Sequence, residues 1–259
     1  DAAMFVSVDD AKFYTVAFGP AAAPVLLGIG GWIGSWELWA EPFAMLSQNW
    51  RTVAYDHRGT GATKAPLESI TFDRLVDDAL AIMDSLGIER CVLAAESAGA
   101  LTALAAARRQ PGRITGLVLV DALAYQPPVE DGNPFLQGLQ HQYAMTIDRF
   151  VAACVPEPDS EHIRRWGRQI LGRASQAAAI ALYRSSSEPD LRDSLDDVGQ
   201  PTLILHGEAD AIVPVEEARR LAAALPNARL STIAGAGHVP TMTHPQEIAD
   251  AINHCFLRS

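Results

Sequence analysis

LAAESAGAL, residues 93–101, joins two runs of different character through one glutamate and one serine. Upstream, Cys91-Val92-Leu93-Ala94-Ala95 is short and apolar, the composition of a buried strand. Downstream, Leu101 to Ala107 is made of strong helix formers. Ser97 stands at the junction with only small residues, Ala98 and Gly99, after it. A serine there is either a helix cap or a nucleophile, and the remaining chain decides between them.

The same grammar extends outward from this junction. Residues 4–8 and 13–18 flank Asp9-Asp10 and predict an opening hairpin. Apolar strands are expected at 24–29, 52–56, 91–95 and 116–121, with helices at 35–48, 72–86 and after Ser97. From about 125 to 199 the strands stop, and helices are expected at 135–153, 161–172 and 176–185. Strands return at 202–206 and 228–233, followed by helices at 215–225 and 245–257. Strands apolar on both faces that alternate with helices indicate a mostly parallel α/β sheet flanked by helices. Residues 1–124 and 200–259 are therefore expected to form the core, and 125–199 a helical cap inserted between two core strands. In open α/β sheets ligands bind beyond the carboxyl ends of the strands, where such an insertion would lie.

Bulk properties narrow the function. With 259 residues, 49% hydrophobic and 20% charged, the chain can bury a substantial core. A net charge of −11 argues against nucleic acid or an anionic membrane as partner. Cys91, Cys154 and Cys255 are odd in number and lack ligand spacing, so neither a disulfide framework nor a metal site is expected. No run has transmembrane length and the start has no leader pattern, which makes a cytoplasmic setting the default expectation. Gly28-Ile29-Gly30-Gly31 suggests a dinucleotide loop only superficially, because Ile33 stands where the third glycine belongs. No cofactor is expected.

A serine hydroxyl needs a base, and that base needs an acid to orient it. Asp210 follows the strand at 202–206, and His238 follows the strand at 228–233. In a parallel sheet these ends share one edge, so Ser97, Asp210 and His238 can converge there. Asp121 ends another strand and is a rival acid. Glu96 is expected to point away from Ser97 and to serve as a hydrogen-bonding group, while His57 and His206 read as structural.

Together these stretches resemble the α/β-hydrolase family over nearly the whole chain. The matches are Ala95-Glu96-Ser97-Ala98-Gly99 for the nucleophile elbow, the segment from Tyr55 to Gly61, His206-Gly207-Glu208-Ala209-Asp210, and Gly237-His238 in family order. Two departures stand out: Ala95 replaces the first elbow glycine, and Ile29 takes the place of a usual histidine. The resemblance implies a Ser97–His238–Asp210 triad and an oxyanion hole from the N–H groups of Gly31 and Ala98, with Trp32 as donor if the register slips by one. Trp36 and Trp39 read as core, whereas Trp32, Phe135, Tyr143 and Trp166 are candidates to face substrate, as is Tyr183. The downstream pattern is similar to small capped relatives such as enol-lactonases and haloperoxidase-like esterases. Serine at the elbow separates the chain from relatives that use aspartate there. The implied activity is hydrolysis of a small, largely apolar ester or lactone by a monomer or homodimer. Carbon–carbon bond hydrolysis, a hydroxynitrile-lyase-like reaction and ligand reception on the same fold are the alternatives.

Overall fold

A computed structural model describes residues 2–257. Eight strands make one sheet: β1 (Ala2–Val8), β2 (Ala11–Phe18), β3 (Val25–Ile29), β4 (Arg51–Tyr55), β5 (Cys91–Glu96), β6 (Ile114–Val120), β7 (Thr202–Gly207) and β8 (Ala228–Ile233). Their spatial order is β1-β2-β4-β3-β5-β6-β7-β8. β1 pairs antiparallel with β2 and β2 with β4, while every pair from β4 to β8 is parallel.

The helices are α1 (Ala40–Leu46), α2 (Phe72–Ser85), α3 (Gly99–Arg109), α4 (Pro134–His141), α5 (Tyr143–Cys154), α6 (Glu161–Leu171), α7 (Gln176–Ser185), α8 (Val215–Ala224), α9 (Pro240–Thr243) and α10 (Pro245–Phe256). Side chains of β5 alternate between two cores, as a strand's two-residue period requires. Cys91, Leu93 and Ala95 meet α2, α3 and α8 on one face, while Val92 and Ala94 meet α1 and α10 on the other. Every residue of β5 is buried, which accounts for the apolar run Cys91–Ala95 before Glu96.

Between β6 and β7 run α4 to α7 and a 3-10 turn, Arg192–Asp197. A third apolar cluster joins these helices, through Ile147, Val151, Ile170 and Leu182, to Ile33, Leu38, Val239 and Met242 beyond the strand ends. The helix expected at 135–153 is two helices, because Gln142 leaves the helical region at φ −142°, ψ 53°. The break turns the chain so that Thr146 packs on Gly138. The helix expected at 35–48 begins as a 3-10 turn, Trp36–Trp39, before α1. No described helix is long and apolar enough to cross a membrane.

Candidate active site

Sheet order determines where the site lies. From β3 the chain moves to β4 on one side and then to β5 on the other, so β3 and β5 flank the point where strand order reverses. The loop from Gly30 to Gly34 and the β5–α3 junction meet at that point. Ser97 sits there in the left-handed region at φ 51°. Such a conformation costs a non-glycine residue about 1–3 kcal/mol, and surrounding bonds must hold it. Ser97 N–H donates to Val120 O at 2.9 Å, and Ser97 O accepts from Leu123 N at 3.0 Å and Ala100 N at 3.1 Å. A Cβ on Gly99 would lie 2.5 Å from Gly30 O, so glycine is what lets α3 begin against the β3 loop.

His238 lies in the loop after β8, and its N–H donates to Cys154 O at the end of α5, 2.9 Å away. Its Nε2 is 2.8 Å from Ser97 Oγ, and its Nδ1 is 2.7 Å from Asp210 Oδ2. The carboxylate thus fixes the proton on Nδ1 and leaves Nε2 to accept from the serine. Asp210 is held in turn: Oδ1 accepts from Ile212 N at 2.7 Å and Val213 N at 2.9 Å. His206 Nε2 donates to Val213 O at 2.7 Å and ties down the same loop.

Electrostatics follow from this packing. Burial disfavours ionised Asp210, but hydrogen bonds from His206 and His238 and the imidazolium charge outweigh it and depress its pKa. Burial likewise works against protonated His238, yet the hydrogen bond and charge of Asp210, with Glu96, raise its pKa. Asp121 is fully buried and accepts from Gly207 N at 3.1 Å; it meets Asp210 rather than the imidazole. Burial, the hydrogen bond to Asp210 and the Asp210 charge push the Asp121 pKa well up. Asp121, His206 and Asp210 carry potential metal-ligand atoms within 4.8 Å of one another. Asp210 Oδ1 and Oδ2 and His206 Nε2 are already engaged by protein partners.

Two expectations change here. Glu96 does not point away: its Oε1 is 4.0 Å from His238 Nε2, and its side chain lines the same cleft as Ser97. The left-handed φ at Ser97 interrupts the strand's alternation, which brings neighbouring side chains to one side. Glu96 Oε2 also accepts from Gly31 N–H at 3.0 Å. That N–H is therefore already engaged within the protein. The next residue, Trp32, and Ala98 have backbone N–H groups that enter no hydrogen bond among the described residues. Burial raises the Glu96 pKa to about 7 against the opposing pull of His238 and the Gly31 N–H.

A cleft opens over Ser97 and His238, walled by Trp32, Ile33, Leu38, Val151, Val155, Ile163 and Met242. Among the expected substrate-facing aromatics, only Trp32 lines it. Phe135 packs edge-on against the Trp32 ring at 5.3 Å, and Tyr183 packs on Phe135 at 5.0 Å. Trp166 Nε1 donates to Glu37 Oε2 at 3.0 Å and so fastens α6 to the core. Tyr143 keeps its hydroxyl buried without a partner, away from the cleft. Helical periodicity marks these side chains as amphipathic-face residues but does not say which neighbour each one meets.

The stretch from Asp56 to Gly61 is a brace. Asp56 accepts from Trp36 N and Ala62 N, each at 2.8 Å. Arg58 is fully buried and forms a two-pronged pair with Asp78 at 2.9 and 2.8 Å, and also reaches Asp10 at 2.9 Å and Ser69 at 2.8 Å.

Comparison with known proteins agrees with this arrangement. A sequence profile described as the alpha/beta hydrolase family matches residues 25–251. The RutD protein of Agrobacterium fabrum, whose name proposes carbamate hydrolysis, is 31% identical over 87% of this chain and 90% of its own length. The pimeloyl-[acyl-carrier protein] methyl ester esterase of Aromatoleum aromaticum is 30% identical over 87% of this chain and 95% of its own. Among solved structures, the enol-lactonase of Burkholderia xenovorans superposes with a TM-score of 0.90 at 22% identity, covering 98% of this chain and 100% of that one. At that identity the likeness speaks for the fold. The chain is a hydrolase and belongs to the alpha/beta hydrolase family.

Proposed function

We propose that the protein hydrolyses a carboxylic ester or lactone of a small, largely apolar molecule through an acyl-enzyme on Ser97. The observation that carries this reading is the unbroken chain Ser97 Oγ to His238 Nε2 at 2.8 Å and His238 Nδ1 to Asp210 Oδ2 at 2.7 Å. His238 takes the hydroxyl proton as Ser97 Oγ attacks the carbonyl carbon, and Asp210 stabilises the imidazolium. The N–H groups of Trp32 and Ala98 receive the negative charge that develops on the carbonyl oxygen, at the N-terminus of α3. His238 then protonates the leaving oxygen. A water that gives its proton to the same nitrogen attacks the acyl-enzyme, and Ser97 regains its hydrogen as the acid departs.

Residues 125–199 act in this reading as a cap whose helices supply part of the apolar wall of the cleft, through Val151 and Ile163. The low polarity of that wall, with Ile33, Val151 and Met242, supports an uncharged substrate. The names of the relatives, an ester esterase, an enol-lactonase and a proposed carbamate hydrolase, all refer to attack at an acyl carbonyl. The test is hydrolysis of short-chain p-nitrophenyl esters by the wild type and by Ser97→Ala. Turnover by the wild type that falls about 10⁴-fold or more in the variant is expected. Wild-type protein with neither turnover nor a p-nitrophenol burst would overturn the reading.

A further inference from the structure

Glu157 is a buried carboxylate that the mechanism leaves unused. It stands between α5 and α6 in the segment Pro156-Glu157-Pro158 and is only 7% exposed. A proline fixes its own φ and disfavours helix in the residue before it, so the two prolines stop α5 and stiffen the link. Arg164 of α6 ties the same link down: its Nε donates to Val155 O at 2.9 Å and its Nη2 to Glu157 O at 2.8 Å. Both side-chain oxygens of Glu157 are buried, and neither has a hydrogen-bond partner. An ionised carboxylate held that way costs folding free energy, so stability gives no reason for its burial.

What the carboxylate faces gives another reason. Oε1 lies against Gly237, the residue before His238. A Cβ on that glycine would be 2.9 Å from Oε1, 2.3 Å from Pro156 Cδ and 2.8 Å from Cys154 O. Oε2 faces His244, which joins α9 to α10, and is 3.7 Å from its Nδ1. Thr243 Oγ1 lies 2.8 Å from the same nitrogen and 3.4 Å from Val239 O. A carbonyl only accepts, so the threonine hydrogen goes to Val239 and Nδ1 carries the hydrogen that Thr243 accepts. The hydrogen-bearing nitrogen is therefore the one nearest Glu157. Among the described residues, no other Lys, Arg or His nitrogen lies within 4.0 Å of this carboxylate.

Glu157 thus spans the stretch that carries the base, meeting Gly237 on one side of His238 and His244 on the other. The same link holds His238 directly, since Cys154 O accepts the His238 N–H at 2.9 Å. Glu157 does not line the cleft, and the charges that raise the His238 pKa are those of Asp210 and Glu96. We propose that Glu157 is a positioning residue: its carboxylate, set between Gly237 and His244, staples the His238 segment to the α5–α6 link and keeps Nε2 on Ser97 Oγ. The geometry stands by itself, and only the effect on turnover rests on the ester-hydrolase reading.

The experiment measures p-nitrophenyl ester kinetics and urea unfolding for the wild type, Glu157→Met, His244→Phe and the double variant. Methionine keeps much of the volume and removes the charge, while His244, half-buried, retains Thr243 as its partner. In Glu157→Met, kcat is expected to fall about 10- to 10²-fold, up to the scale for misplacing a catalytic group by about 1 Å, with KM unchanged. Its urea midpoint is expected to stay or rise, because a buried charge without hydrogen bonds is gone. His244→Phe should lower kcat by a similar factor and the double variant no further, since each removes the same contact. A kcat loss in Glu157→Met matched by a lower urea midpoint would make the role structural and overturn the proposal. Wild-type kcat in Glu157→Met, or losses that multiply in the double variant, would overturn it as well.

A readout without substrate separates this inference from the hydrolase reading. The His238 ring ¹⁵N resonances, assigned by their loss in His238→Gln, are expected to move in Glu157→Met and in His244→Phe. Movement in a protein without ester turnover would keep the positioning role and overturn the hydrolase reading. Turnover with neither kcat nor these resonances changed by Glu157→Met would do the reverse.

Discussion

Glu96 Oε2 accepts a hydrogen bond from Gly31 N–H at 3.0 Å, and this bond ties the last residue of β5 to the loop after β3. It removes Gly31 from the set of free donors. It also places a carboxylate 4.0 Å from His238 Nε2. Glu96 is therefore a positioning residue for the donor loop and a charge that favours protonated His238.

Replacing Glu96 by glutamine keeps an oxygen for Gly31 but removes the charge. Only neutral His238 can take the serine proton, so activity is lost as pH falls through the His238 pKa, which Asp210 and Glu96 hold above its ordinary value. Without the Glu96 charge that pKa falls. The acid limb of kcat/KM in Glu96→Gln is expected at lower pH than in the wild type, and a pH–rate profile checks it. A limb that stays in place or moves to higher pH would contradict the assigned role.

Gly207 controls the loop that carries His238. A Cβ there would lie 2.1 Å from Gly237 O and 2.4 Å from Ala236 O, both backbone atoms that cannot swing aside. Gly207→Ala is expected to displace His238 and lower kcat/KM about 10²-fold, the scale for misplacing a catalytic group by about 1 Å. Steady-state kinetics with a circular-dichroism melt will separate misplacement from unfolding.

Arg58 is a stability element. Removing it strands the buried Asp78 carboxylate, whose two oxygens are 2.9 and 2.8 Å from the guanidinium. Breaking one partner of a buried pair typically costs about 3–5 kcal/mol, and Arg58→Met is expected to lose stability on that scale in urea unfolding. The double variant with Asp78→Leu should recover part of it.

Trp166 serves as an anchor outside the cleft, so Trp166→Phe is expected to leave the ranking of ester chain lengths unchanged. Ile163→Trp, which narrows the cleft, should reorder it towards shorter esters. Kinetics across a homologous series of esters will compare the two.

Much of this was legible in the sequence, and the remainder has physical reasons. β5 could be read because both of its faces are buried, and Ser97, Asp210 and His238 because each follows a strand whose carboxyl end lies on one edge. Which of Gly31 and Trp32 keeps an unengaged N–H could not, because that depends on which one Glu96 occupies, a three-dimensional fact. The Glu96 direction is not legible in the sequence, because a strand's two-residue alternation sets neighbours on opposite faces and only the φ of 51° at Ser97 breaks it. The aromatics between β6 and β7 failed for another reason. Trp166 and Phe135 have the spacing of apolar-face residues, yet one is drawn to Glu37 and the other to Trp32. His57 reads as structural from the sequence, and no pattern signals an unpartnered Nδ1.

The central claim is a covalent acyl intermediate on Ser97. Intact-protein mass spectrometry during rapid mixing with a p-nitrophenyl ester, followed by peptide mapping, tests it most directly. One acyl group per chain on the peptide containing Ser97, formed with the p-nitrophenol burst and absent in Ser97→Ala, is the predicted result. Turnover that persists in Ser97→Ala, or an adduct on another residue, would contradict it.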